Sequence, residues 1–291
     1  HMVISIPGLG VTFQPQYTDI PSRLKAMDEK GVAIHVMSLT QPMVYWAKPE
    51  FGLKLSQAFN SACSELHKKY PERFLGLAML PMQAPELSVA ELDRVSKLPG
   101  IKGAYMSTHV LGKNLDDKSF WPVYEKCEAL GFPIFLHPTN TLGADRMRNY
   151  YLRNFIGNPV ETSIAAASLM FSGVMDKYPK LDVVLPHAGG ITPILIGRWD
   201  HGSSVRPETK HMTKAPSTYL RRFHYDTISH SPSIMATIIK QVGADRVVLG
   251  SDHPADMSLE RPVEFVESIP QLSLYERELI LGGNAARFMK V

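Results

Sequence analysis

The sequence predicts an α/β chain wound as a (β/α)8 barrel, and three observations carry that reading. Apolar, strand-like runs alternate with helix-like segments from about residue 19 to the end. Three of those runs, at 135–137, 185–187 and 249–252, stop on His137, His187 and Asp252 and enter turns rich in Gly or Pro. The length of 291 residues suits a single barrel, a fold that typically takes about 250. Repeated strand–helix units imply a parallel sheet covered by helices. Residues at the C-terminal ends of barrel strands point into the mouth, where active sites of this architecture sit.

The elements follow in order. Asp19-Ile20-Pro21 opens a helix with a capping carboxylate and an early proline; Leu24 and Met27 give it an apolar face, and Gly31 ends it. A buried strand is expected over 32–39. Phe51, Leu55, Phe59, Ala62 and Leu66 recur at helical spacing until Pro71 stops the run. Next come a strand over 74–80, a helix over 87–98 and a strand over 101–106. A helix through Trp121, Tyr124, Cys127 and Leu130 ends at Gly131. Strand 133–137 leads into 139–158, a polar and aromatic stretch that suits a loop over the mouth. A helix over 160–175, a strand over 181–187 and a helix over 192–203 follow. After a second excursion over 204–218 come strand 223–227, helix 232–242 and strand 247–251. Helical segments at 263–268 and 274–289 finish the chain.

That makes seven strands, and a closed barrel needs eight. Residues 3–6 read as part of a hairpin or loop, because Pro7-Gly8-Leu9-Gly10 and no helix follow them. The first strand is therefore expected to be missing from this chain. His1-Met2 resembles an expression-tag remnant, which places the native N-terminus out of view. No repeat or linker divides the chain, so residues 1–291 are expected to form one barrel domain.

Composition removes some classes of partner. The formal net charge is +3 with no block of five like charges, which gives no support to nucleic-acid or membrane-surface binding. No apolar stretch reaches the roughly 18 residues of a membrane span. Cys63 and Cys127 form no CxxC pair, and a reducing cytoplasm is the expected location.

Two imidazoles and a carboxylate at strand ends are suitable donors for a divalent metal. Each has a plainer rival. His137 before a proline also suits a turn, and Asp252 also suits a helix N-cap. Gly189-Gly190 beside His187 leaves room for close approach. Arg198 reads equally as a solvated helix residue or an anion binder, and Tyr151 as a packing aromatic of a loop. His35 reads as a core residue, His67 as part of a solvated helix face, and His253 as a pocket-lining neighbour of Asp252. Asp226 and His230 lie at or after a strand end and reach toward the mouth.

Further motifs extend the pattern: Tyr45-Trp46-Ala47-Lys48-Pro49, the stretch from Arg73 through Pro81-Met82-Gln83-Ala84-Pro85 to Leu87, Tyr178-Pro179-Lys180-Leu181, and Gly283-Asn284-Ala285-Ala286-Arg287-Phe288. Together they resemble the amidohydrolase superfamily, in the branch that contains aminocarboxymuconate-semialdehyde decarboxylase and related aromatic-acid decarboxylases. The resemblance runs from about Asp19 to the C-terminus. It implies a TIM barrel with one divalent metal, zinc in the first instance and manganese as the alternative. The family holds its metal with an HxH pair on the first strand, a His after the fifth and an Asp after the eighth. His137 and Asp252 match the latter two, Asp252 also accepting a proton in catalysis. His187 matches the histidine that activates water at the metal. No HxH occurs in this sequence, and that pair is expected upstream. Arg198 matches an arginine that grips a substrate carboxylate across a dimer interface, and Tyr151 falls near the family's aromatic lid residue.

The implied activity is a metal-dependent, non-oxidative decarboxylation of a small unsaturated or aromatic carboxylic acid by a homodimer, with no organic cofactor. The same donors suit a hydrolase, either a lactonase or an amidohydrolase, because a metal also activates attack on a carbonyl. A non-catalytic barrel that lacks the first-strand ligands is the third reading.

Overall fold

Every one of the seven expected strands is present, and most are shorter than the apolar run that announces them. The structure, a computed structural model, describes residues 15–291. The strands are β1 (His35–Met37), β2 (Phe74–Met79), β3 (Ile101–Ser107), β4 (Ile134–His137), β5 (Val183–Leu185), β6 (Phe223–Asp226) and β7 (Val247–Val248). All pair in parallel, and their order in the sheet is their order in the chain. That winding, with a helix between most successive strands, is the barrel pattern. The sheet curls round on itself: the His35 ring of β1 lies 5.3 Å, centroid to centroid, from that of His253, five residues beyond β7. Among the described residues nothing pairs with the outer edges of β1 and β7. Residues 3–6 lie outside the described part.

The shortening has local causes. Pro186 carries no N–H and ends β5 one residue before His187. Beyond β7 the ladder gives way to a side chain. Thr227 Oγ1 donates to Gly250 O at 3.2 Å and accepts from Gly250 N at 3.1 Å. Leu249 N turns to Ile280 O at 2.9 Å, in the C-terminal helical run.

The helices are α1 (Ile20–Glu29), α2 (Pro49–Lys69), α3 (Pro85–Val95), α4 (Trp121–Leu130), α5 (Asn158–Phe171), α6 (Thr192–Val205) and α7 (Pro232–Val242). Their starts match the expected chemistry. Asp19 caps α1 by accepting from Ser22 N at 3.0 Å, and each of these helices has proline in its first positions. Gly131 closes α4 with φ at 64°, a left-handed geometry that favours glycine. The expected helix over 160–175 instead breaks at Gly173, φ 83°, into α5 and a single turn at Val174–Lys177.

The core lies between strands and helices, where Phe74, Met79, Leu92, Met106, Val123, Tyr225 and Val247 are fully buried. The two-residue period of a strand turns Phe223 and Tyr225 to one face of the sheet and His224 and Asp226 to the other. Phe288, from the C-terminal helix, lies against Phe135 of β4 and His224 of β6 and plugs the N-terminal end of the barrel. The opposite end is left to the chemistry.

Candidate metal centre

His137 is the last residue of β4. Its ring lies 6.0 Å from that of Tyr105 and 5.8 Å from that of His187, and its buried Nδ1 has no hydrogen-bond partner.

His187 is held differently. After Pro186 the backbone turns left-handed at His187 (φ 53°) and Ala188 (φ 54°), a conformation that costs energy for residues with a Cβ and is kept where function needs it. The buried Asp226 carboxylate fixes the turn. Its Oδ2 accepts from His187 N at 3.0 Å, and its Oδ1 accepts from Ala188 N at 2.8 Å and Ile228 N at 3.0 Å. The following glycines serve packing rather than ligand approach. A Cβ on Gly189 would meet the Tyr225 ring at 2.6 Å, and one on Gly190 would meet Pro159 O at 2.2 Å. The Nδ1 of His187 is also buried and without a partner.

Asp252 sits at φ 56° beyond β7, and its carbonyl accepts from Ala255 N at 2.9 Å. It caps no helix, since the next one begins at Pro262. The helix-cap reading is thereby removed.

The structure brings His137, His187 and Asp252 together, with one ligand atom from each lying within 4.8 Å of the others. Burial pushes both imidazoles down to about 4, so at neutral pH they are unprotonated donors. Burial raises the Asp252 carboxyl, with the His187 imidazole opposing that shift and Asp256 adding to it. A cation here would meet one nitrogen from each imidazole and a carboxylate whose ionisation it would restore. The residues fit a divalent metal, and His187 stands close enough to be a third ligand as well as a proton carrier. Burial also lifts Asp226 to about 6, outweighing the three N–H groups that oppose it.

The remaining expected residues lie as follows. Tyr151 (φ 59°) is on the loop after β4, packs edge-on against Phe155 at 5.5 Å and donates its hydroxyl to Asp256 Oδ1 at 3.1 Å. Burial first, then Asp256, pushes its phenol up to about 12. Arg198 is exposed on α6 and makes no hydrogen bond or ion pair with the described residues. His35 is buried, with Arg23 Nη1 3.4 Å from its Nδ1, and His253 completes that stack. His67 is not on a solvated face: its Nδ1 lies 2.8 Å from Phe74 O, and its ring fills the space beside Gly100. Asp256 escaped the sequence reading altogether, and the anchoring role of Asp226 shows only in the fold.

A profile of the amidohydrolase family matches residues 13–291. The chain belongs to the amidohydrolase family. It is 37% identical over 270 residues to the 2-amino-3-carboxymuconate-6-semialdehyde decarboxylase of Dictyostelium discoideum, covering 92% of this chain and 75% of that one. The 5-carboxyvanillate decarboxylase from Sphingomonas paucimobilis superposes with a TM-score of 0.88 at 29% identity, over 95% of this amidohydrolase and 84% of that protein. A dihydroxybenzoic acid decarboxylase from Polaromonas, with manganese and the inhibitor 2-nitroresorcinol bound, gives 0.84 at 29% identity, over 94% and 86%. The family and branch read from the motifs are those the comparisons return, and the barrel is of the amidohydrolase type.

Proposed function

We infer that this amidohydrolase is a divalent-metal-dependent, non-oxidative decarboxylase of a small aromatic or unsaturated carboxylic acid. The observation that carries the metal is the convergence of His137, His187 and Asp252, two of them with buried, unpartnered nitrogens. The reaction class is supported by relatives that are decarboxylases along most of this chain. Zinc is the metal we favour, because two imidazoles and one carboxylate are its usual donors; manganese, held by the Polaromonas relative, is the competing outcome. When bound, the ion supplies a Lewis acid that polarises substrate oxygens.

The chain's own groups supply the rest. We assign His187 and Asp252, which converge on one point, to relay a proton from solvent to the carbon bearing the carboxylate, each group taking up the proton and passing it on. Carbon dioxide then leaves, and the electron pair of the broken bond re-forms the conjugated system. Asp226 keeps the His187 imidazole in place through the backbone. We assign Arg198 to the departing carboxylate, gripped by two parallel hydrogen bonds across a homodimer interface, and Tyr151 to cover over the bound acid. A cytoplasmic location goes with two buried, unpaired cysteines. Among the described residues no helix is long and apolar enough to cross a membrane.

The test is product analysis on a panel of hydroxybenzoic acids, unsaturated diacids and lactones, with metal-loaded protein. Carbon dioxide release is the expected result. Ring opening of a lactone with no carbon dioxide from any acid would move the protein to the hydrolases.

A further inference from the structure

The loops that follow β4 and β7, at the C-terminal ends of the strands that lead to His137 and Asp252, meet through one hydrogen bond. Tyr151, on the loop after β4, donates to Asp256 Oδ1 at 3.1 Å, across 105 residues of sequence. Asp256 follows the turn in which the Asp252 carbonyl accepts from Ala255 N, so it stands one turn beyond a metal-binding carboxylate. The Tyr17 phenol also feels both carboxylates: burial first, then Asp252 and Asp256, push it up. Asp256 is exposed, and it takes part in none of the ion pairs among the described residues. An ionised carboxylate offers acceptor sites on both oxygens, and Tyr151 occupies only one of them.

A negative, acceptor-only group on the rim of a site for carboxylic acids has a definite consequence. A hydroxyl or amino substituent on the bound acid can donate to it, and hydrogen bonds to a charged group are the stronger kind. A second carboxylate in the same position meets like charge, which binding sites use to reject partners. We propose that Asp256, positioned by Tyr151, is a specificity-determining residue that selects a mono-acid carrying a hydroxyl or amino donor over the corresponding diacid. The proposal rests on the decarboxylase reading of the site for its substrate class. It also divides the relatives' chemistry, since 5-carboxyvanillate and 2-amino-3-carboxymuconate-6-semialdehyde carry two carboxylates and dihydroxybenzoic acid carries one.

The test measures binding and turnover separately. The metal-loaded protein is titrated calorimetrically with matched pairs, 3-hydroxybenzoate against benzene-1,3-dicarboxylate and 2-hydroxybenzoate against benzene-1,2-dicarboxylate. In at least one pair the hydroxy acid is expected to bind at least about tenfold more tightly. Asp256→Asn, which keeps shape and removes charge at an exposed position, is expected to shrink that ratio about tenfold. Tyr151→Phe leaves the charge but frees the carboxylate, and is expected to shrink the ratio by a smaller factor. It carries the test alone if the first variant does not fold. Equal binding within twofold in both pairs, or a ratio unchanged in the folded, metal-loaded variants, overturns the proposal. Carbon dioxide release is then assayed on the same acids and on 2,6-dihydroxybenzoate. Turnover without the preference sinks only the role of Asp256, whereas the preference without any turnover sinks only the decarboxylase reading.

Discussion

Asp226 and His187 are joined through backbone rather than side chains: the Asp226 Oδ2 accepts from the His187 N–H at 3.0 Å while its Oδ1 takes the next N–H, of Ala188, at 2.8 Å. A carboxylate on one strand thus fixes the left-handed turn that presents an imidazole on its neighbour. Asp226→Ala leaves three N–H groups without their acceptor. Each buried, unsatisfied donor costs about 1–3 kcal/mol, so a loss of several kcal/mol in unfolding free energy is expected by chemical denaturation. Asp226→Asn keeps one acceptor oxygen and turns an NH2 toward the other donors. It is expected to fold, to hold metal more weakly and to lower kcat; wild-type kcat in a folded Asp226→Asn protein would show that the turn needs no such anchor.

Removing the metal, or a ligand to it, should separate assembly from chemistry. Chelation of the loaded protein is expected to abolish carbon dioxide release, and re-addition of zinc or manganese to restore it. His137→Ala and Asp252→Asn are expected to lower bound metal, read by elemental analysis, while far-ultraviolet circular dichroism stays native. A ligand present at 100 times its Kd raises stability by about 2.7 kcal/mol, so the loaded protein is expected to melt higher than the chelated one. Equal melting temperatures would mean that the three side chains hold no ion.

How much of this was legible in the sequence depends on distance along the chain. His137, His187 and Asp252 were readable because each ends an apolar run before a turn, a purely local signal. The strand count was readable for the same reason. The anchoring of His187 by Asp226 spans 39 residues, and the Tyr151–Asp256 bridge spans 105. No periodicity reports contacts of that kind. The glycines after His187 were visible but misread: the space they keep belongs to the Tyr225 ring and the Pro159 carbonyl. His67 looked solvated from its lysine neighbours, whereas a carbonyl of β2 captures its ring nitrogen.

That pair of glycines gives a sharp mutational expectation. Gly190 has φ at 63°, and a Cβ there would lie 2.2 Å from Pro159 O, a backbone atom at the start of α5 that has no rotamer to retreat to. Gly190→Ala combines left-handed strain of about 1 kcal/mol or more with a clash that displaces the His187 turn. It is expected to cost about 3 kcal/mol in all and to lower metal occupancy. Gly197→Ala on α6, where nothing lies within 4 Å of the new methyl group, is expected to be neutral or slightly stabilising, because alanine favours helix. If both variants melt alike, the packing account of the turn is wrong.

Acid should destabilise the metal-free protein, and the sign follows from the buried imidazoles. Burial holds His137, His187 and His253 at about 4 and His35 at about 3, against about 6.5 in an unfolded chain. Above that value neither state carries these protons and the fold keeps its full stability. As pH falls from 6.5 toward 4 the unfolded chain takes up as many as four protons that the fold refuses, each worth about 1.4 kcal/mol per pH unit. Asp226 works the other way. Its folded value near 6 lies above the unfolded one, so between about 6 and 4 the fold gains one proton first and offsets part of the loss. The net expectation is a steep decline below pH 6 in denaturation free energy, largely complete by pH 4 as far as these groups are concerned. A bound cation competes with protons for His137 and His187, so loading the metal is expected to raise stability most at neutral pH and least at pH 5. A flat profile between pH 7 and 5 in the metal-free protein would mean that these rings are charged in the fold and not the neutral donors that a metal requires.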